Sequence, residues 1–163
     1  MSCTVDEGWY YLGPAAANYR YSCEGIIVKQ IHDDILVDIQ DWECVWTNAK
    51  TMDKGDYSLW RGIPPTLDYV VLGSFLVRGV EKPTKQDTMG MKAVRKEVVI
   101  EAKASREIWS NTRHWLATEG AVWDIKADHD SIDPGTFIAV SGKRHVPPPV
   151  VYAINRALVN LIR

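Results

Sequence analysis

Four aspartates crowd one short stretch of the chain, Asp124, Asp128, Asp130 and Asp133. Hard carboxylate oxygens at that density suit calcium. The spacing, however, lacks the alternating acids and central glycine of a calcium loop, and His129 is a poor ligand for a hard cation. Asp133 stands before Pro134-Gly135, where an aspartate initiates a turn. The stretch therefore reads first as a solvated acidic turn, and no metal or other cofactor is expected. The histidines His32, His114, His129 and His145 neighbour no serine elbow, zinc-binding helix signature or activated cysteine. Cys23 lies beside Glu24, whose charge disfavours a reactive thiolate. No glycine-rich phosphate loop is present. Binding rather than catalysis is the expectation, and the chain is not read as an enzyme.

The aromatic residues supply a different chemistry. Seven Trp and seven Tyr stand against two Phe, and Trp and Tyr combine a large apolar body with a polar tip that suits half-wet contact surfaces. Tyr19 and Tyr21 flank Arg20, so on a strand both rings would point to one face. With Trp42 and Trp115 they are the candidate exposed contacts. Trp46, Trp60, Trp109 and Trp123 are expected instead to fill a shared core, because Trp is highly buried on average.

The net charge of −2 and the absence of a long Lys/Arg run argue against nucleic acid. No stretch holds the roughly 18 consecutive apolar residues of a membrane-spanning helix, and the first residues lack a secretion signal. The expectation is a soluble chain, cytoplasmic or exported without a cleaved signal. Cys3, Cys23 and Cys44 show no zinc spacing; reduced thiols are expected, with a bridge from Cys23 to Cys3 or Cys44 left open.

What must position these residues is a repeat. Trp46-Thr47-Asn48 and Trp109-Ser110-Asn111 lie 63 residues apart, and each is followed fourteen residues later by Trp60 or Trp123. Aromatic-led apolar segments open at Trp9, Tyr69 and Phe137, and second apolar runs start at Ile26, Ala93 and Val151. Short runs rich in Val, Ile, Tyr and Trp between Gly, Pro, Asn and Asp clusters are strand signals. The spacing predicts one all-β domain of three degenerate units, about 1–45, 46–108 and 109–163. Units of this kind share a core around an axis, which gives a pseudo-threefold β-prism, with the β-trefoil as the alternative. Leu12, Leu72 and Val140 are expected at one set of equivalent core positions, and Val28, Val94 and Ile154 at another. The third unit is expected to carry five extra residues in the loop after Trp123, on which Asp124, Asp128 and Asp130 would form a ligand contact.

The segment from Ser58 to Gly79, followed by Lys92-Ala93-Val94-Arg95-Lys96-Glu97-Val98, resembles the repeating signature of the vacuolar-protein-sorting-associated sixty-two family. That signature runs from an apolar-Trp-Arg start through a Pro-Pro turn and an aromatic-led strand to a Val-Arg-Lys strand. The chain departs from it at Ser74, where an acidic residue is usual, and at Arg61-Gly62, where a proline often follows. The resemblance implies an all-β repeat domain and, through very large lipid-transport relatives, a link to lipids. Together these readings predict a non-catalytic binding module. Lectin-like carbohydrate recognition comes first, membrane-lipid binding or a toxin-like or sorting component second, and an enzyme with an unrecognised site third.

Overall fold

A computed structural model of the chain describes residues 5–16, 25–49, 55–111, 119–142 and 146–162. Its strands are β1 (Tyr10–Tyr11), β2 (Ile27–Val28), β3 (Leu36–Asp38), β4 (Asp41–Thr47), β5 (Tyr57–Ile63), β6 (Tyr69–Val70) and β7 (Ser74–Arg78). They continue as β8 (Lys92–Arg95), β9 (Val99–Ser110), β10 (Gly120–Lys126), β11 (Ser131–Ile132), β12 (Phe137–Ser141) and β13 (Val151–Asn155). Two single 3-10 turns, η1 (Lys96–Val98) and η2 (Arg156–Leu158), follow β8 and β13. Among the described residues there is no α-helix, as the short β-branched and aromatic runs require.

The strands pair antiparallel in the orders β1-β2, β6-β8-β3, β4-β5-β7 and β11-β13-β9-β10-β12. The 63-residue repeat is visible in the register. Trp46 lies opposite Leu59, and Trp109 opposite Val122; Trp60 faces Cys44 and Phe75, and Trp123 faces Glu107 and Ile138. A bulge interrupts both hairpins at the same place, one residue before Trp46 and before Trp109. The long strand β9 thus does alone what β3 and β4 do in succession. This is a β-prism-like, pseudo-threefold all-β fold.

The asparagine of each Trp-Ser/Thr-Asn triplet explains why the motif recurs. The Asn48 side chain accepts a hydrogen bond from the Tyr57 backbone N–H at 2.6 Å, and Asn111 accepts from the Gly120 N–H at 2.5 Å. Both span nine residues, and both are joined by a backbone bond at 3.1 Å in the same sense. Each asparagine ties the end of one strand to the start of the next. It satisfies buried backbone groups that a bulged hairpin leaves open.

The short inner strands carry the second relation. Tyr10 pairs with Val28, Val70 with Val94, and Ile132 with Ile154. Val28, Val94 and Ile154 therefore occupy matching positions, and all three belong to one apolar cluster with Leu12, Val70, Leu72 and Val99. The other expected triplet needs correcting. Leu12 and Leu72 are fully buried, but the third position is held by Pro134 and not by Val140, which lies half-buried on β12 opposite Ala121. The aromatic lead of Phe137 mimics that of Tyr69, while the true counterpart of Tyr69–Leu72 is the polar stretch Ser131-Ile132-Asp133-Pro134. The expected five-residue insertion disappears with that misalignment. The connection from β10 to β11 is residues 127–130, one residue shorter than the connection 64–68 from β5 to β6.

One difference between the repeats gives a direct test. Ser58, fully buried, donates to the Gly79 carbonyl at 2.7 Å and accepts from Trp60 Nε1 at 2.8 Å. Its register counterpart is Ala121, and Trp123 Nε1 is buried with no hydrogen-bond partner among the described residues. Ser58→Ala is expected to cost about 2 kcal/mol, because an indole N–H and a carbonyl lose their partner together. Ala121→Ser is expected to gain about 1 kcal/mol by supplying the missing acceptor. Urea denaturation of both variants checks the pair; equal and small effects would refute the assignment.

Candidate functional site

A concavity lies beside β2. A cleft of about 950 Å³ opens between β2 and residues 158–162. Its floor is the apolar cluster itself, with Leu12, Val28, Val94 and Ile154. Its wall carries side chains that face water: Ile27 is 51% exposed, Ile31 74% and Ile162 82%. Such clustered apolar exposure marks a contact site more often than chance scatter does. The polar lining is Lys29, Gln30, His32 and Asn160, and Gln30 Oε1 already accepts from the Leu36 N–H at 3.2 Å. The signal was present in the sequence as consecutive Ile26 and Ile27 followed by Ile31. Two neighbouring isoleucines on a strand point to opposite faces, so one of them must leave the core.

The residues expected to bind ligand are distributed differently. Trp42 is not an exposed contact: it is buried with Tyr11, Trp60 and Met91, its ring tilted against Phe75 at 5.8 Å. On β4, Trp42 and Trp46 are the buried positions, and the pleat turns Trp42 inward. Tyr19, Tyr21 and Trp115 lie outside the described residues. Of the four repeat tryptophans, Trp46, Trp60 and Trp123 are buried as expected, while Trp109 is 42% exposed and meets Trp46 edge-on at 5.1 Å. Trp109 is the exposed indole that the repeat register concealed.

The acidic loop is largely occupied by its own turn. Asp124 is ion-paired with Arg106 at 2.7 Å. The Asp128 carboxylate accepts from the Asp130 N–H and the Ser131 hydroxyl, both at 3.0 Å, while Ser131 Oγ accepts from the Asp128 N–H at 2.9 Å. The Asp130 N–H, followed by the Ser131 hydroxyl, holds the Asp128 carboxyl below its ordinary range. Asp130 itself is exposed and faces His129 at 3.1 Å. Burial raises the Asp133 carboxyl, a bond from the Gly135 N–H partly offsets this, and the charge of Asp124 raises it further. Among the described residues no three His, Cys, Asp or Glu side chains converge as a metal set. Cys44 is a free thiol, pushed up by burial.

The two shifted carboxyls act oppositely on stability. Asp128 contributes stability above its unfolded value, and that contribution is lost as pH falls through its lowered folded value. For Asp133 the unfolded chain ionises first, so stability falls as pH rises from about 4 to its raised folded value. Asp133→Asn keeps an acceptor for the Gly135 N–H and removes the ionisation. It is expected to raise the melting temperature near neutral pH and leave it unchanged near pH 3. An equal effect at both pH values would show that Asp133 acts through packing instead.

No protein-family model matches the chain, and no curated protein matches it. The fold has a solved counterpart. The crystal structure of GNIP1Aa from Chromobacterium piscinae superposes with a TM-score of 0.75 at 18% sequence identity, covering 94% of this chain. The chain spans 32% of the length of GNIP1Aa. At that identity the likeness establishes the β-prism-like fold and leaves the ligand to be argued from the site. No helix among the described residues is long and apolar enough to cross a membrane.

Proposed function

We propose that this chain is a non-catalytic binding module that takes an apolar, elongated ligand, the acyl portion of a membrane lipid, in the cleft beside β2. The observation that carries the reading is the cleft's composition: a floor of core aliphatics and a wall of solvent-facing isoleucines, with only four polar lining residues. Burying a methylene contributes about 0.8 kcal/mol, so a flexible chain gains affinity along the whole cleft without specific hydrogen bonds. A sugar would find few partners for its hydroxyls there. Lys29 and His32 line the same cleft, and a cationic side chain there suits an anionic headgroup.

The test is flotation with vesicles of phosphatidylcholine, with and without phosphatidylserine. Binding is expected, and Ile27→Asp combined with Ile31→Asp is expected to reduce it at least tenfold, since each charge would be forced into contact with hydrocarbon. Binding unchanged by the pair would remove the cleft as the site. The carbohydrate reading survives on one observation, the exposed indole of Trp109, whose face suits an apolar sugar surface. A glycan array distinguishes the two: array binding lost in Trp109→Ala, with no vesicle binding, reverses the order.

A further inference from the structure

The three inner hairpins of the prism are not equally complete. The middle strand β8 is flanked by β6 and β3, and β13 is flanked by β11 and β9. β2 has β1 on one side and, among the described residues, no strand on the other. The chain path shows what belongs there. After β2 it passes into β3, which pairs with β8; after β8 it passes through η1 into β9, which pairs with β13. After β13 it passes through the matching turn η2 to Val159.

We infer that Val159-Asn160-Leu161 is the missing third strand of the first sheet, a strap that closes on the free edge of β2. Three observations carry this. η1 and η2 are equal in length, and the residues that end them, Val99 and Val159, have nearly the same backbone, φ −122° and ψ 160° against φ −129° and ψ 147°. Val99 pairs with Ile154 and Leu36 with Val94. The same relation sets Val159 opposite Val28, Asn160 opposite Ile27 and Leu161 opposite Ile26. Val159 already packs against the apolar cluster that contains Val99, so the register is anchored at its first residue.

Beyond Val159 the segment stands away from β2, and the cleft is the space between them. Closing the strap pairs the open N–H and C=O groups of β2, which an uncovered edge leaves as a template for other chains, and consumes the cleft. The strap therefore competes with any cleft ligand. Its existence does not depend on what that ligand is, whereas the gating of lipid rests on the function proposed above.

Hydrogen exchange on the unaltered chain tests the strap directly. Amides within residues 159–161 are expected to exchange at least ~10-fold more slowly than free-chain rates, as paired strands do. Exchange at free-chain rates there overturns the inference. Val159→Asp places a charge at the anchoring position and is expected to abolish that protection, with β5 and β10 amides remaining protected to show that the prism is intact. If protection at 159–161 survives the substitution, the register is wrong. Asn160→Pro combined with Leu161→Pro removes a ladder donor whichever of the two amides faces β2 and adds no charge to the cleft, and vesicle binding should rise severalfold in that variant. Loss of protection without a gain in vesicle binding leaves the strap standing and counts against the lipid reading.

Discussion

Leu72→Ala is expected to lower stability by about 2–5 kcal/mol, the range for truncating a fully buried leucine whose surroundings relax only partly. Leu72 is 1% exposed and belongs to the cluster formed by residues of all three hairpins, Leu12, Val94 and Ile154 among them. The cavity would therefore open where the three inner hairpins meet and where no single sheet can move in to fill it. At about 2–4 °C per kcal/mol for a chain of this size, the melting temperature should fall by roughly 5–15 °C. Leu67, 86% exposed in the turn before β6, is the control, and Leu67→Ala should stay within about 0.5 kcal/mol. Leu12→Ala should cost a similar amount to Leu72→Ala. The double variant should deviate from additivity, because the two side chains share one cluster. Losses under about 1 kcal/mol in both single variants would mean that the hairpins do not share a core.

The sequence revealed the outer sheets well and the inner ones less so, for reasons visible in particular residues. Trp46, Asn48 and Trp60 recur as Trp109, Asn111 and Trp123 because each fulfils a positional demand: an indole beside the bulge, an amide across the hairpin end, an indole opposite the preceding strand. Demands of that kind tolerate few residue types, so the pattern survives divergence. The inner strands β1, β6 and β11 are two residues long, and their demand is only to be apolar at one position. Tyr10, Val70 and Ile132 meet it with three different side chains. Phe137 resembles Tyr69 more than Ser131 does, so residue type aligns β12 where register aligns β11. The same offset affects the candidate site. It gives the acidic loop an insertion that the register does not contain, and Trp42, outside the repeat, reads as exposed although the β4 pleat turns it inward. The cleft depends on Ile27 and Ile31 meeting residues 158–162 from the other end of the chain, a juxtaposition that no local pattern encodes.

Gly73→Ala is expected to cost about 3 kcal/mol, the upper end of the usual cost of overpacking. A Cβ built at Gly73 would lie 2.8 Å from Thr136 Cβ and 3.1 Å from the Gly13 Cα; one built at Gly13 would lie 2.8 Å from Thr136 Cγ2 and 3.0 Å from the Gly73 Cα. Two of these neighbours are backbone and cannot rotate away. Thr136 is the remaining escape, but its hydroxyl donates to the Leu72 carbonyl at 2.7 Å, in the residue next to the substitution. Moving Thr136 aside would break that bond and leave a buried carbonyl unpaired, which costs about 1–3 kcal/mol on its own. The chain segments at Gly13 and Gly73 are therefore brought together at van der Waals contact by the absence of two side chains, and the fully buried leucines beside them depend on that approach. Gly25→Ala is the comparison, since no heavy atom of the described residues lies within 4 Å of a Cβ there, and it should change stability by less than about 0.5 kcal/mol. Thr136→Gly in the Gly73→Ala background removes the nearest obstacle and should recover part of the loss measured by urea denaturation. Recovery would locate the strain at the contact between the two segments, and its absence, with Gly73→Ala as mild as Gly25→Ala, would show that the segments can separate there without cost.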